Sequence, residues 1–274
     1  EQPFLTGDLY AVNANGGKGD ILVGQSLQSD GPGSNIQRKK VETVAAYLVN
    51  DLPDNDKEII ISVRPFTPDA YSRAERMDVY TGRRRPIATA PVRNAYFVTD
   101  NAGNIRFASG TDVDQTTRLY QRNADSAEWK LINDSKQTGL SQWPLGFSAD
   151  DRNVYLQVEH AQGPDSIVAW DIAADKRTEV LRDDNTDPTP IYIGGILHGM
   201  RLMDGRPRSV FFDEQSKIAK LHRKLEKAFI GQQVVVTSTT KDGGLALVYA
   251  WSDRNPGDYY VFDTVNNKAE HLLS

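Results

Sequence analysis

Residues 145–181 read LGFSADDRNVYLQVEHAQGPDSIVAWDIAADKRTEVL and contain one complete structural unit. Phe147 leads into a polar turn at Asp150, Asp151 and Arg152. A strand pattern follows at 154–158, and a loop carries the chain to a second strand at 167–171, with Trp170 near its end. Ala174, Asp175 and Lys176 then turn it into a short last strand at 178–181. β-branched and aromatic residues favour the pleated sheet, and Asp, Asn and Gly favour the turns between strands.

The aromatic strand of this unit recurs. It reads LYAVN at 9–13, DVYTG at 78–82, RLYQ at 118–121, AWD at 169–171, VFFD at 210–213 and YVFD at 260–263. Measured between Tyr80, Tyr120, Trp170, Phe212 and Phe262, the intervals are 40, 50, 42 and 50 residues. The preceding interval, from Tyr10 to Tyr80, is long enough to hold an insertion or a weak repeat. A period of roughly 40–50 residues is that of a propeller blade, in which four short strands make one sheet. The chain is therefore expected to be all-β, a β-propeller of six or seven blades, with residues 1–274 forming one domain. Other strand signals fit. Residues 58–63 are a nearly continuous apolar run, as in a strand covered on both faces, and 153–159 alternate. Residues 234–238 and 245–251 are joined by Lys241, Asp242, Gly243 and Gly244, a hairpin turn whose residues tolerate positive φ.

One segment breaks the pattern. Ile218, Leu221, Leu225 and Phe229 make a helical stripe, with Asp213 or Ser216 as N-cap and Gly231 as the stop. An amphipathic helix inserted at about 213–231 follows. Lys217, Lys220, Arg223, Lys224 and Lys227 cover its other face, either as a solvated surface or as a basic face for a partner domain. Residues 26–40 and 182–190 read as polar connections rather than as linkers between separate cores.

Composition narrows the function. A net charge of −5, with no basic stripe among exposed aromatics, gives no sign of a nucleic-acid partner. Zero cysteines remove disulfides, thiolate metal sites and a cysteine nucleophile, and leave the compartment open. No run of about 18 apolar residues is present, so no transmembrane helix is expected. The first residues, Glu1 to Phe4, contain neither a start methionine nor a signal peptide and look processed or cut from something longer.

Catalytic signatures are sparse. Gly-x-Ser-x-Gly is absent, so no hydrolase nucleophile is expected in this chain. His160, His198, His222 and His271 lack the spacing of a helical zinc site and read as surface or turn residues, so no metal site or cofactor is expected. Asp183, Asp184 and Asp187 lack the glycine and distal Glu of a calcium loop and read as a solvated turn. Arg83, Arg84 and Arg85 read as a charged blade edge that discourages pairing, or less simply as an anion site. The polar connection at 252–258 (SDRNPGD) is a turn that would project Asp253 and Arg254 at its tip.

Four stretches carry a resemblance: RMDVYTGR at 76–83, FVTDNAGNIR at 97–106, DGRPR at 204–208 and WSDRNPGDYY at 251–260. Together they resemble the N-terminal β-propeller of bacterial prolyl-oligopeptidase-family serine peptidases, across most of residues 7–273. The last stretch is the most specific. The resemblance implies a non-catalytic domain that gates peptide access to a C-terminal α/β-hydrolase domain and docks on it. The Ser-Asp-His triad would lie on that partner domain. Asp253, Arg254, Asn255, Arg206 and Arg208 are the candidates to face the partner or the peptide. A periplasmic or secreted location is the expectation, with the cytoplasm open. Two rivals stand beside it: a free-standing propeller that binds proteins or sugars, and a propeller glycosidase or lyase with its site on the axis.

Overall fold

A computed structural model describes residues 6–17, 19–26, 41–67 and 69–274. The polar loop expected at 26–40 lies, beyond its first residue, outside the described residues, as does the N-terminal segment 1–4.

Strand follows strand in six antiparallel sheets. β1 (Leu9–Ala11) and β2 (Asp20–Val23) form a two-stranded sheet. The second sheet holds β3 (Val44–Asn50), β4 (Glu58–Pro65), β5 (Tyr71–Asp78) and β6 (Arg84–Arg93), and the third β7 (Tyr96–Thr99), β8 (Ile105–Thr111), β9 (Thr117–Gln121) and β10 (Lys130–Asp134). A one-turn helix, α1 (Ser135–Thr138), precedes the fourth sheet of β11 (Ser141–Phe147), β12 (Asn153–Glu159), β13 (Ser166–Asp171) and β14 (Lys176–Arg182). The fifth has three strands, β15 (Thr189–Ile193), β16 (Ile196–Asp204) and β17 (Arg206–Phe211). Then comes α2 (Lys217–Ala228), and last β18 (Gln233–Thr239), β19 (Leu245–Ser252), β20 (Asn255–Asp263) and β21 (Lys268–Leu273). Within every sheet, neighbouring strands are consecutive in the chain. This is the up-and-down meander of a propeller blade, and the fold class is the all-β propeller.

The chain divides into two compact units, residues 1–146 with 156–161, and residues 147–155 with 162–274. In the first, Leu22 and Val23 pack with Val44, Ile61, Val63 and Met77. A second cluster joins Ile60, Ala74 and Ala90 to Phe97, Ile105 and Ala108. Ile60, Ile61 and Met77 are fully buried, each contributing about 1.5–3 kcal/mol relative to exposure. In the second unit, Ile191, Ile193 and Phe211 of the fifth sheet meet Val234, Val236, Val248 and Phe262 of the sixth, with Ala219 and Leu225 of α2 among them.

The helix behaves as its stripe predicts. Ser216 is the N-cap, its Oγ accepting the Ala219 N–H at 3.1 Å. Leu225 is fully buried, and Ile218, Leu221 and Phe229 pack against the same cluster. Gly231 follows with φ +77°. In chain order α2 follows β17, at the place where the second, third, fourth and sixth sheets carry a fourth strand. Arg223 on α2 donates from Nη2 to the Ser209 carbonyl at 2.8 Å. Glu214, paired to Arg223 at 2.6 Å, has its carboxyl held below the usual value by Arg223 and, in smaller part, by the Phe211 backbone N–H. Two backbone groups of the otherwise open β17 edge thus meet an ion pair from the inserted segment. Pro207, on the same strand, offers no N–H there to pair.

Three expectations are corrected. The strand expected at 78–82 ends at Asp78, because the Asp78 carboxylate accepts the Tyr80 and Thr81 N–H groups (2.9 and 2.8 Å) and turns the chain. Tyr80 is left in the turn, 74% exposed. The connection expected at 252–258 is a two-residue turn, Asp253-Arg254, and Asn255 to Asp258 belong to β20. The register shifts between Ala250 and Ser252, so that Pro256 and Gly257 together oppose Trp251 in a β-bulge, where proline is tolerated. His222, expected at the surface, is 1% exposed: it sits on the apolar stripe of α2, edge-on to Phe211 at 5.2 Å.

Candidate functional site

In a meander, the start of the first strand and the turn between the second and third lie at one end. For the fifth sheet that end holds the Gly205 turn and the start of β15. For the sixth it holds the Asp253-Arg254 turn and the start of β18. Two contacts bring these ends together. Gln233 Nε2, opening β18, approaches Met203 Sδ at 3.4 Å. The Arg201 guanidinium lies 5.7 Å from the centre of the Trp251 ring.

The sequence candidates fall at this end, with different commitments. Asp253 and Arg254 form the exposed tip of the β19–β20 hairpin. Asn255 serves the bulge: its Oδ1 accepts the Gly257 N–H at 3.0 Å, and its Nδ2 donates to Asp258 at 2.7 Å. Arg206 opens β17. Arg208 is bound to Asp183, whose carboxyl is held below the ordinary range chiefly by the Asn185 backbone N–H, with Thr186 and Arg208 assisting. The acidic segment at 183–187 is thus a hydrogen-bonded turn that receives an arginine.

Sequence reasoning missed the aromatic row behind the tip. Tyr249 stacks on Trp251 (5.1 Å, 24°) and leans on Tyr259 (4.7 Å). The Tyr249 hydroxyl donates to the Pro256 carbonyl at 2.6 Å and so covers Gly257. At Gly257 φ is +132°, and a Cβ would fall 2.1 Å from that hydroxyl oxygen, so glycine is required. Beside this row lies Arg201, which feels the charge of Glu226 on α2. Burial would raise the Glu226 carboxyl, but His222 and Arg223 override it and hold it at about 2. Arg223 donates to Glu226 at 3.0 Å. The His222 Nδ1 lies 3.3 Å from a Glu226 carboxylate oxygen without making a hydrogen bond to it. The visible signal for Arg201 was a cation inside an otherwise apolar strand, ILHGMRLMD at 196–204.

Among the described residues, no group of three or more His, Asp or Glu side chains is placed to hold a metal ion. Nor is any helix among them long and apolar enough to cross a membrane.

No family model matches the chain, and no curated protein matches it. Solved structures do. Puromycin hydrolase aligns with 98% of this chain at a TM-score of 0.55 and 13% identity. A structure from a study of two prolyl endopeptidases and their interdomain dynamics aligns with 97% at a TM-score of 0.51 and 9% identity. The fold is the β-propeller that these structures contain. At these identities the likeness is one of fold. The chain spans less than half of either structure, 42% of the first and 46% of the second.

Proposed function

We propose that the chain is the non-catalytic propeller domain of a serine peptidase, a single domain over residues 1–274. It gates peptide access to a C-terminal α/β-hydrolase domain and docks on it. The observation that carries this reading is the alignment of nearly the whole chain with under half of puromycin hydrolase. A chain of this size leaves room, in a protein of that length, for a second domain to hold the chemistry. The four family-like stretches at 76–83, 97–106, 204–208 and 251–260 point the same way. Two of them form the hairpin ends where Arg206, Arg208, Asp253 and Arg254 stand, and we assign that end to the partner and the peptide. Peptide is the substrate class. The location that suits such an enzyme is the periplasm or the exterior.

The test is made on the full-length gene product. A fluorophosphonate probe should label a serine outside residues 1–274. D253A and R254A should lower kcat/KM for long peptides while leaving a short chromogenic peptide unaffected. A full-length product that neither labels nor cleaves peptides would refute the peptidase reading. Equal effects on long and short substrates would refute the gating role.

A further inference from the structure

α2 carries four lysines along one line. At about 100° per residue, Lys217, Lys220, Lys224 and Lys227 fall within an arc of about 80°, on the side away from the buried Ala219, His222 and Leu225. All four are exposed. Among the described residues no carboxylate pairs with them. Glu214 and Glu226, their acidic neighbours in sequence, are held by Arg223. Lys224 reaches only the Asn267 side chain, in the turn between β20 and β21.

This placement works against the helix. The first turn, where the dipole favours carboxylates, has none and opens on Lys217. Successive lysines stand three or four residues apart, so each repels the next. Helix stability therefore does not account for the stripe, whereas an anionic surface laid against it relieves the repulsion. Two aliphatic side chains flank it. Ile230, three residues past Lys227, is 86% exposed, and Val265, two residues before Asn267, is 77% exposed. No other large hydrophobic side chain among the described residues is as open as these two. Lys268, which follows Asn267, adds a fifth exposed cation.

The chemistry of the occupant follows. Lysines are point charges, without the arginine fork that grips one phosphate or carboxylate bidentately. Protein interfaces favour aromatic residues and arginine and are depleted in lysine. A nucleic-acid backbone gives Ile230 and Val265 nothing to bury against. An anionic bilayer answers both features, since its headgroups meet the lysines and its interface takes the two aliphatic tips. The apolar stripe of α2 is committed to the protein core, so the helix would lie against the bilayer and not enter it. We infer that the lysine face of α2, with Ile230 and Val265, is a contact site for an anionic lipid surface. The site draws nothing from a hydrolase domain and stands apart from the peptidase reading.

The experiment sediments the 274-residue chain with vesicles of phosphatidylcholine alone, or with about 30 mol% phosphatidylglycerol, at about 0.1 M and about 0.5 M salt. The chain should bind the anionic vesicles at low salt, leave them at high salt, and ignore the neutral ones. Each lysine near such a surface is worth about fivefold in partition, so K220Q should lose about fivefold and K217Q/K220Q/K224Q/K227Q more than about a hundredfold. I230S with V265S should weaken vesicle binding several-fold. No binding to anionic vesicles, equal binding to neutral ones, or a quadruple variant that binds like the unaltered chain would overturn the site. Immobilised polyglutamate and a DNA duplex are the rival occupants. Tighter capture by either at equal charge, or vesicle binding indifferent to I230S with V265S, would overturn the choice of a bilayer. Glutamine keeps the helix propensity and removes the repulsion, so the thermal transition of the quadruple variant should not fall. The lipid and salt dependence of the unaltered chain tests the site without any variant.

Discussion

Replacing Arg223 by methionine tests whether α2 closes the β17 edge. Methionine keeps the aliphatic stem that lies over Phe211 (guanidinium carbon 5.3 Å from the ring) and removes only the charge and donors. The lost bond to Ser209 leaves a backbone carbonyl without its partner at a residue 8% exposed, costing about 1–3 kcal/mol. The ion pairs to Glu214 and Glu226 are a third to a half exposed, so each adds less than about 1 kcal/mol. The expected loss is about 2–3 kcal/mol. Urea unfolding followed by tryptophan fluorescence should show a lower midpoint at unchanged slope. Light scattering should show new association, because an uncapped strand edge recruits other chains. E214Q combined with R223M should cost less than the sum of the two, since both remove one unit. A loss below about 0.5 kcal/mol, with no association, would show that the helix merely packs beside β17 and that its ion pair does not substitute for a strand.

Two further substitutions probe the same unit. Gly257→Ala combines a positive φ with a Cβ driven into Tyr249, and should cost roughly 2–5 kcal/mol; adding Y249A should recover part of it, and strict additivity in urea unfolding would disprove the close approach. Glu226 has a folded pKa of about 2 against an ordinary 4.5, so its contribution is complete above pH 4.5 and is lost as pH falls toward 2. The stability gap between wild type and E226Q should therefore close over that interval, and a gap that stays constant down to pH 2 would contradict the pairing.

The blade repeat was legible because its signals are local. Alternation, turn residues and aromatic spacing are each set within a few residues, and they placed β4, β12, β13, β18 and β19 in the chain. The same locality misplaced Tyr80. An aromatic between Val79 and Thr81 looks like strand until the Asp78 side chain is seen accepting the N–H groups of Tyr80 and Thr81. The helix was legible from Ile218, Leu221, Leu225 and Phe229. His222 lay on that same stripe, four residues after Ile218 and three before Leu225, yet its polarity argued for the surface. What no local pattern could show is the job of α2, because Arg223 reaches Ser209 across fourteen residues of sequence and only the tertiary packing puts them together.

The candidate site divides along the same line. Asp253 and Arg254 were readable because a tight turn announces its tip. Arg201 was not, because what singles it out is that Glu226, the carboxylate in whose field it lies, is bound to Arg223, a property of its neighbours. Those neighbours are ordered by a chain of small constraints. The extra residue at Pro256-Gly257 lets proline into the strand and leaves a gap that only glycine can line. Tyr249 closes that gap by bonding to the Pro256 carbonyl, which fixes its ring; the ring stacks on Trp251, and Trp251 faces Arg201. A short polar string in the sequence, NPGD, therefore acts at two ranges. It turns the chain at the hairpin end, and through two stacked rings it sets the direction of a guanidinium on the neighbouring sheet.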